Sequence, residues 1–168
     1  MLFRSQVVFL LLAMLSGCSW CDLEMEATAA FRATKLKAHL DGSRLLVSFH
    51  DFHGTPRHLG ATARRLRRCG GDAIKIATQC DSLAESLRVL ALARGRRRVV
   101  AVPMGEVGLP ARVLALRAGS ALAYGAVAEA TAPGQLSLDE MKNLYRADRL
   151  DRRTRVYEIG RASCRERV

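Results

Sequence analysis

A single lysine interrupts an apolar segment that predicts a buried strand. In residues 73–78 the isoleucines occupy one face, and Lys75 lies on the other face with Ala73 and Ala77. Small apolar neighbours remove water from an amine and favour its neutral form, which is the nucleophile for carbonyl carbons. A lysine at a sheet edge, with its ammonium reaching water, fits the same pattern. The pattern alone leaves both interpretations open.

Three residues suited to acid–base chemistry occur at or near predicted strands. His50 follows the predicted strand 44–49, at a carboxyl end where parallel α/β folds place their sites. An imidazole there can act as a general acid or base near neutral pH, and a loop histidine without a role is the alternative. Asp22 and Glu24 share one face of the first predicted strand. Two such carboxylates either join an ion-pair network or orient an imidazole.

Candidate substrate-binding residues follow the later predicted strands. Arg112 lies in the connection after the strand 99–102, and Thr131 and Gln135 lie after the last predicted strand. A guanidinium in such a loop suits a substrate carboxylate through a bidentate contact. A solvated helix arginine is the alternative for Arg112.

The elements that must position these residues alternate between strands and helices. Strands are predicted at 20–25, 44–49, 73–78, 99–102 and 121–127, and helices at 6–15, 27–40, 56–68, 82–93, 110–117 and 138–147. About five βα units in series predict an α/β fold with a parallel sheet, either doubly wound or part of a (β/α)8 barrel. A complete barrel needs about 250 residues, more than the 168 present. No glycine-rich phosphate loop supports a nucleotide site.

The charge and the cysteine content limit which binding partners, disulfides and metal sites are expected. The net charge is +11, but the arginine clusters at 64–68 and 96–98 contain no aromatic residue on which a base could stack. A solvated helix face is therefore favoured over nucleic-acid binding. Five cysteines form an odd set with one lone CxxC at 18–21, so neither a disulfide framework nor a zinc site is predicted. Reduced thiols in a cytoplasmic protein are the expectation.

The first residues permit two interpretations. A basic residue at position 4, an apolar run at 7–15 and the segment 15–18 together resemble an export signal with a lipoprotein cleavage site. By this interpretation the chain is an exported or lipid-anchored basic binding domain without enzymatic activity. A buried amphipathic helix that ends at Gly17 and leads into a strand is the rival interpretation.

Several segments together resemble type I 3-dehydroquinate dehydratases. They occur in family order and at family spacing: Asp22-Leu23-Glu24, Val47-Ser48-Phe49-His50-Asp51-Phe52 with Thr55-Pro56, Gly71-Asp72-Ala73-Ile74-Lys75-Ile76-Ala77, Met104-Gly105 through Arg112, Gly119-Ser120 and Ala132-Pro133-Gly134-Gln135. The family fold is a (β/α)8 barrel, and the chain is similar to about strands four to eight with their helices. The apolar run near the start is then the helix before strand four, which favours the enzyme interpretation.

The resemblance implies a Schiff-base dehydration of 3-dehydroquinate to 3-dehydroshikimate in the shikimate pathway, without a metal or cofactor. By that resemblance Lys75 forms the Schiff base and His50 shuttles the proton. Arg112 binds the substrate carboxylate, and Thr131 and Gln135 contact its hydroxyls. Asp22 and Glu24 would hold His50. A small-molecule substrate, no nucleic acid, no membrane, a cytoplasmic location and a homodimer of the full-length enzyme are the accompanying expectations.

The sequence departs from the family in three respects. Ala111 and Thr131 stand where the family usually has serine, and the first three βα units, which supply further substrate contacts, are absent. Residues 1–149 are therefore predicted to be a truncated barrel that by itself folds poorly and is inactive, because open strand edges remain exposed. Residues 150–157 resemble the linker into a shikimate dehydrogenase domain. Residues 158–168 resemble a translated sequencing adapter and are expected to be an artefactual tail.

Overall fold

A computed structural model describes residues 2–33, 42–95, 98–129, 134–151 and 153–154. Its helices are α1 (Leu2–Leu15), α2 (Thr28–Ala33), α3 (Leu59–Arg68), α4 (Leu83–Ala91), α5 (Leu109–Val113) and α6 (Ala115–Ala118). Its strands are β1 (Trp20–Glu24), β2 (Arg44–Asp51), β3 (Ala73–Gln79) and β4 (Val99–Met104). Three-ten turns occupy Met25–Ala27, Glu106–Gly108 and Ala147–Arg149, and a π-helical turn occupies Glu140–Leu144. Strands and helices alternate as the sequence predicts.

The four strands form one parallel sheet in the order β1-β2-β3-β4. Neighbours in the sheet are also neighbours in sequence, and each strand pair is joined through at least one helix, as parallel pairing requires. All four carboxyl ends therefore meet at one edge of the sheet. An α/β fold with a parallel sheet is confirmed.

One face of the sheet packs against the helices and encloses the main apolar core with them; we call it the outward face and the opposite face the inward face. Fully buried members of this core include Leu23, Val47, Ile76 and Val99 from the strands and Leu66 from α3. On α1, Val7 and Met14 are buried in the same core, whereas Phe9 and Leu15 on the other side of the helix are exposed. No helix within the described residues is long and apolar enough to cross a membrane.

The predicted fifth strand, 121–127, is wrong, because this segment pairs with no strand in the described part of the chain. The side-chain oxygen of Ser120 accepts the backbone N–H of Ala101, 3.2 Å away, and so takes a donor that a strand beside β4 would use. Ala121 N–H still donates to Val99 O at 2.9 Å, but beyond it only a single bridge remains, between Ala126 and Ser137. The segment instead crosses the inward face of the sheet.

Two predicted helices also differ. The helix predicted at 110–117 breaks at Leu114 into α5 and α6, and the one predicted at 138–147 becomes the π-helical turn followed by the three-ten turn. A capping box forms at the start of this segment: Glu140 N–H donates to Ser137 Oγ at 3.1 Å, and Ser137 N–H donates to Glu140 Oε2 at 2.8 Å. The helix predicted at 27–40 is described only as far as Ala33.

Candidate active site

Strand register gathers the polar strand residues on the inward face of the sheet. In β1 and β2, Glu24 is opposite Ser48, and in β2 and β3 Ser48 is opposite Lys75. Because side chains alternate along a strand, Asp22 and His50 point to the same side as these three. The apolar residues between them point to the opposite side, into the helix-covered core. Alternation and register together therefore create a polar inward face from strands far apart in sequence.

Lys75 is nearly buried near the middle of this face. The residue is 9% exposed, and its Nζ donates a hydrogen bond of 2.7 Å to Asp22 Oδ2. The ammonium also lies 4.7 Å from the centroid of the Tyr124 ring, within the range of a cation–π interaction. The sheet-edge alternative for Lys75 is excluded, since β3 is a central strand.

His50 and Glu24 form a second pair beside Lys75. His50 Nδ1 lies 2.5 Å from Glu24 Oε1, a close contact that becomes an ion pair when the imidazole is protonated. The contact with His50 lowers the pKa of Glu24 and outweighs burial, which acts in the opposite direction. A carboxylate on Nδ1 fixes the ring and leaves Nε2 for proton transfer.

One member of each pair, Lys75 and His50, lines a cleft of about 210 Å³ at the carboxyl ends of the strands. Its lining residues are His50, Phe52, Lys75, Ala77, Val102, Met104, Arg112, Tyr124 and Gln135. Phe52 is 68% exposed and stacks on the imidazole, with ring centroids 5.8 Å apart. The cleft thus combines an amine, an imidazole and a guanidinium within mainly apolar walls.

Arg112 is placed in the cleft by α5, which follows β4. The residue is 8% exposed, and burial lowers the pKa of its guanidinium, which nevertheless stays charged because arginine titrates far above neutral pH. The solvated-helix alternative for Arg112 is therefore excluded. A partly desolvated guanidinium in a small cleft is suited to a carboxylate.

Gln135 reaches the cleft through a tight backbone approach. The preceding Gly134 has φ +68°, and a Cβ there would lie 2.5 Å from the carbonyl oxygen of Gly105. Only glycine fits both conditions at once. Thr131, the other expected hydroxyl-binding residue, lies outside the described residues.

Six of the seven residues singled out from the sequence thus lie together, with one change of partner. Glu24 contacts His50 as expected, but Asp22, expected to hold His50 as well, forms its ion pair with Lys75 instead. The sequence patterns do not identify Tyr124 as a site residue, since it lies in the segment wrongly predicted as a strand. Its signal in the sequence would have been a large aromatic residue just after Gly119-Ser120, a segment already matched to the family.

A larger cavity of about 680 Å³ lies at the opposite end of the sheet and includes Trp20, Arg44, Asp72 and Arg98. It offers charge but neither an amine nor an imidazole, and it lies at the amino ends of the strands, away from the edge that carries sites in such folds. We therefore place the chemistry in the smaller cleft. Among the described residues, no group of three or more histidine, cysteine, aspartate or glutamate side chains could hold a metal ion.

Comparisons with known proteins agree with the family resemblance. The family model described as Type I 3-dehydroquinase matches residues 4–152. The chain is 32% identical over 132 residues to a 3-dehydroquinate dehydratase of Klebsiella pneumoniae, covering 73% of this chain and 53% of that protein. It is 29% identical over 158 residues to a bifunctional 3-dehydroquinate dehydratase/shikimate dehydrogenase of Arabidopsis thaliana, covering 88% of this chain and 25% of that protein.

Solved structures show the same fold. A type I 3-dehydroquinate dehydratase from Clostridium difficile superposes with a TM-score of 0.68 at 23% identity, covering 86% of this chain and 61% of that one. The enzyme from Geobacillus kaustophilus gives 0.65 at 28% identity, covering 76% and 52%. The chain thus spans about half the length of most relatives it matches. The matches do not support the alternative of an exported or lipid-anchored binding domain. With a family match across most of its length, this chain belongs to the type I 3-dehydroquinase family.

Proposed function

We propose that this chain carries the Schiff-base portion of a 3-dehydroquinate dehydratase, a hydro-lyase that converts 3-dehydroquinate to 3-dehydroshikimate. The observation that carries the proposal is the nearly buried Lys75 in one cleft with Arg112 and with His50, which Glu24 contacts. An amine, an acid–base imidazole and an anion-binding guanidinium are the three groups that imine-based dehydration of a keto acid needs.

The chemistry follows from the positions of these side chains. The neutral amine of Lys75 attacks the substrate ketone, and loss of water gives an iminium that withdraws electrons from the adjacent carbon. His50 removes a proton from that carbon and returns a proton to the departing hydroxyl. Hydrolysis of the iminium then releases the product and restores the lysine. Over the whole cycle, substrate becomes product and one water.

Binding groups surround this reaction centre. Arg112 pairs with the substrate carboxylate, Gln135 contacts a hydroxyl, and Thr131 is proposed for a second hydroxyl on the strength of the resemblance alone. Glu24 keeps the imidazole oriented through Nδ1. Phe52 and Tyr124 limit water around the reacting atoms, because both aromatic rings line the cleft.

We further propose that residues 1–149 correspond to about strands four to eight of the family barrel, with β1 to β4 as the first four of these. The bifunctional plant relative supports residues 150–157 as a linker toward a dehydrogenase domain. A cytoplasmic location and a homodimer of the longer protein remain predictions from the resemblance, and residues 155–168 lie outside the described residues.

Covalent trapping tests the proposed function. The longer protein that contains this chain, incubated with 3-dehydroquinate and borohydride, should gain the mass of one reduced adduct, and peptide mapping should locate it on Lys75. Lys142→Ala, at an exposed lysine, is the matched control and should be tagged like the wild type. Absence of an adduct, or an adduct that survives Lys75→Ala, would refute the Schiff-base assignment.

A further inference from the structure

We propose that Asp22 is the proton carrier of Lys75: it takes the ammonium proton and later delivers it to the oxygen that leaves during imine formation. The inference rests on the proposed function, because it assigns a role within imine formation at Lys75. The sequence pattern allows Asp22 either an ion-pair network or support of an imidazole, and the resemblance implies support of His50. The structure places its carboxylate on the reacting nitrogen instead.

The contact is direct and crosses a whole strand. Asp22 on β1 and Lys75 on β3 are separated by β2, in which Asp22 is opposite Leu46 and Lys75 is opposite Ser48. Asp22 Oδ2 lies 2.7 Å from Lys75 Nζ, which is hydrogen-bond distance to the atom that must lose a proton before it can attack. The Asp22 side chain is 34% exposed against 11% for Lys75, so the carboxylate is the member of the pair that water reaches more easily.

The other charged groups around Lys75 are already engaged or have the wrong chemistry. Glu24 contacts the imidazole of His50. Arg112 is a cation and accepts no proton. Tyr124 offers its ring face, and burial together with the nearby Asp22 charge raises the pKa of its hydroxyl, so the phenol stays neutral near pH 7. Among the described residues, Asp22 is the carboxylate in contact with Nζ.

A shuttle through Asp22 balances the step without an outside proton. The ammonium proton moves to Oδ2, which leaves a neutral amine and a carboxylic acid. The nitrogen electron pair forms the C–N bond to the ketone carbon, the C=O π pair moves to oxygen, and a nitrogen proton follows it to give a carbinolamine. Asp22 then protonates that hydroxyl, the C–O bond breaks, and water leaves as the nitrogen lone pair completes the iminium. Ammonium plus ketone has become iminium plus water.

The same arrangement stabilises the product of the step. The iminium nitrogen carries the positive charge that the ammonium carried, so the regenerated Asp22 carboxylate and the Tyr124 ring face remain next to a cation. The site need not reorganise its charges between the resting lysine and the covalent intermediate, which is the condition for electrostatic preorganisation.

The rate of imine formation as a function of pH tests the proposal. The longer protein that contains this chain is mixed with 3-dehydroquinate and excess cyanoborohydride at about pH 6 to 9, a range between the titrations of ordinary carboxyl and lysine groups. The rate of adduct formation is followed by intact mass. In the wild type the proton passes within the hydrogen-bonded Asp22–Lys75 pair, so the rate should be nearly independent of pH. In Asp22→Asn the reactive form is the free amine, so the rate should be at least tenfold lower at neutral pH and should rise with pH.

Two further variants separate a proton carrier from a structural ion pair. Asp22→Glu should restore a nearly flat profile, and formate added to Asp22→Ala should recover part of the rate, since a small carboxylic acid can carry the proton. Glu26→Gln, which removes an exposed carboxylate near the end of β1, is the control and should match the wild type.

Failure of this inference is distinguishable from failure of the proposed function. Wild-type tagging with an Asp22→Asn profile parallel to the wild type, or no response to formate, would overturn the shuttle and leave the Schiff base intact. No wild-type tagging would remove both. Far-UV circular dichroism checks that each variant is folded, and Asp22→Glu keeps the test decisive if the asparagine variant is not.

Discussion

The ammonium of Lys75 lies over the ring face of Tyr124 in the cleft, 4.7 Å from the centre of the phenol ring. Tyr124 comes from the segment after α6 that crosses the inward face of the sheet, and its neighbours Ala121 and Leu122 pack on Leu46 and Val100. The lysine is therefore held from two sides, by a carboxylate and by an aromatic face.

The ring of Tyr124, more than its hydroxyl, should support Lys75. We expect Tyr124→Phe to keep the rate of borohydride-trapped adduct formation within about twofold, because the ring face is retained. Tyr124→Leu should lower this rate about fivefold or more, since a cation–π contact is worth about 0.5–2 kcal/mol, depending on how buried it is. The time course of the adduct mass measures both. Equal rates for the two variants would contradict the role of the ring.

Tyr124 should make the protein sensitive to alkali. Burial raises the pKa of its phenol, so in strong alkali the unfolded chain loses this proton before the folded chain does. The stabilisation is complete below the ordinary tyrosine titration near pH 10 and is lost as pH rises beyond it. Urea unfolding at about pH 8 and pH 10.5 should show a larger loss for the wild type than for Tyr124→Phe. An equal loss in both proteins would count against a buried neutral phenol.

Glu24 should make the folding stability sensitive to acid, whereas Tyr124 makes it sensitive to alkali. Its pKa is lowered by the contact with His50, so the folded state favours the carboxylate. That stabilisation is present above the unfolded carboxyl titration near pH 4.3 and is lost as pH falls through the lower folded value. Glu24→Gln should therefore lose less unfolding free energy than the wild type between about pH 7 and pH 3. Glu26→Gln, at an exposed position, should behave like the wild type.

Two buried serines should respond differently to the same substitution. Ser120 Oγ accepts from Ala101 N–H at 3.2 Å and donates to Leu122 O at 2.8 Å. Ser86 is fully buried, and its Oγ has no hydrogen-bond partner among the described residues. Ser120→Ala should cost about 1–3 kcal/mol and Ser86→Ala should stay within about 0.5 kcal/mol, because only the first leaves a backbone donor unsatisfied. Urea unfolding checks this pair, and a larger loss for Ser86→Ala would contradict the assigned contacts.

Gly134 should tolerate no side chain. An alanine Cβ would lie 2.5 Å from Gly105 O at a φ of +68°, so Gly134→Ala should destabilise the fold by about 1–3 kcal/mol and weaken substrate-dependent tagging through Gln135. Gly54→Ala is the matched control, because its Cβ meets nothing within 4 Å and its φ is not positive. Thermal unfolding and tagging at low substrate concentration measure the two effects. Wild-type behaviour of Gly134→Ala would show that the close approach is not real.

The strands and most helices could be predicted from the sequence because their signals are local. Alternation places Ile74 and Ile76 on one face and Lys75 on the other, and this holds in any parallel sheet that contains the strand. Glu140 likewise caps the turn after Ser137 from three residues away. The segment at 121–127 has the composition of a strand, but a side chain, Ser120, intercepts the backbone donor that its ladder would need.

By itself, the sequence determined the α/β class, the family and the presence of an amine within a strand, an imidazole at a strand's carboxyl end and a guanidinium in the connection after a strand. Tertiary structure decided their partners. Asp22 pairs with Lys75 and Glu24 with His50 because the register of three strands fixes which side chains meet, and register depends on contacts between segments far apart in the chain. Tyr124 reaches the ammonium for the same reason: the fold carries its segment across the sheet, and no local pattern encodes that path.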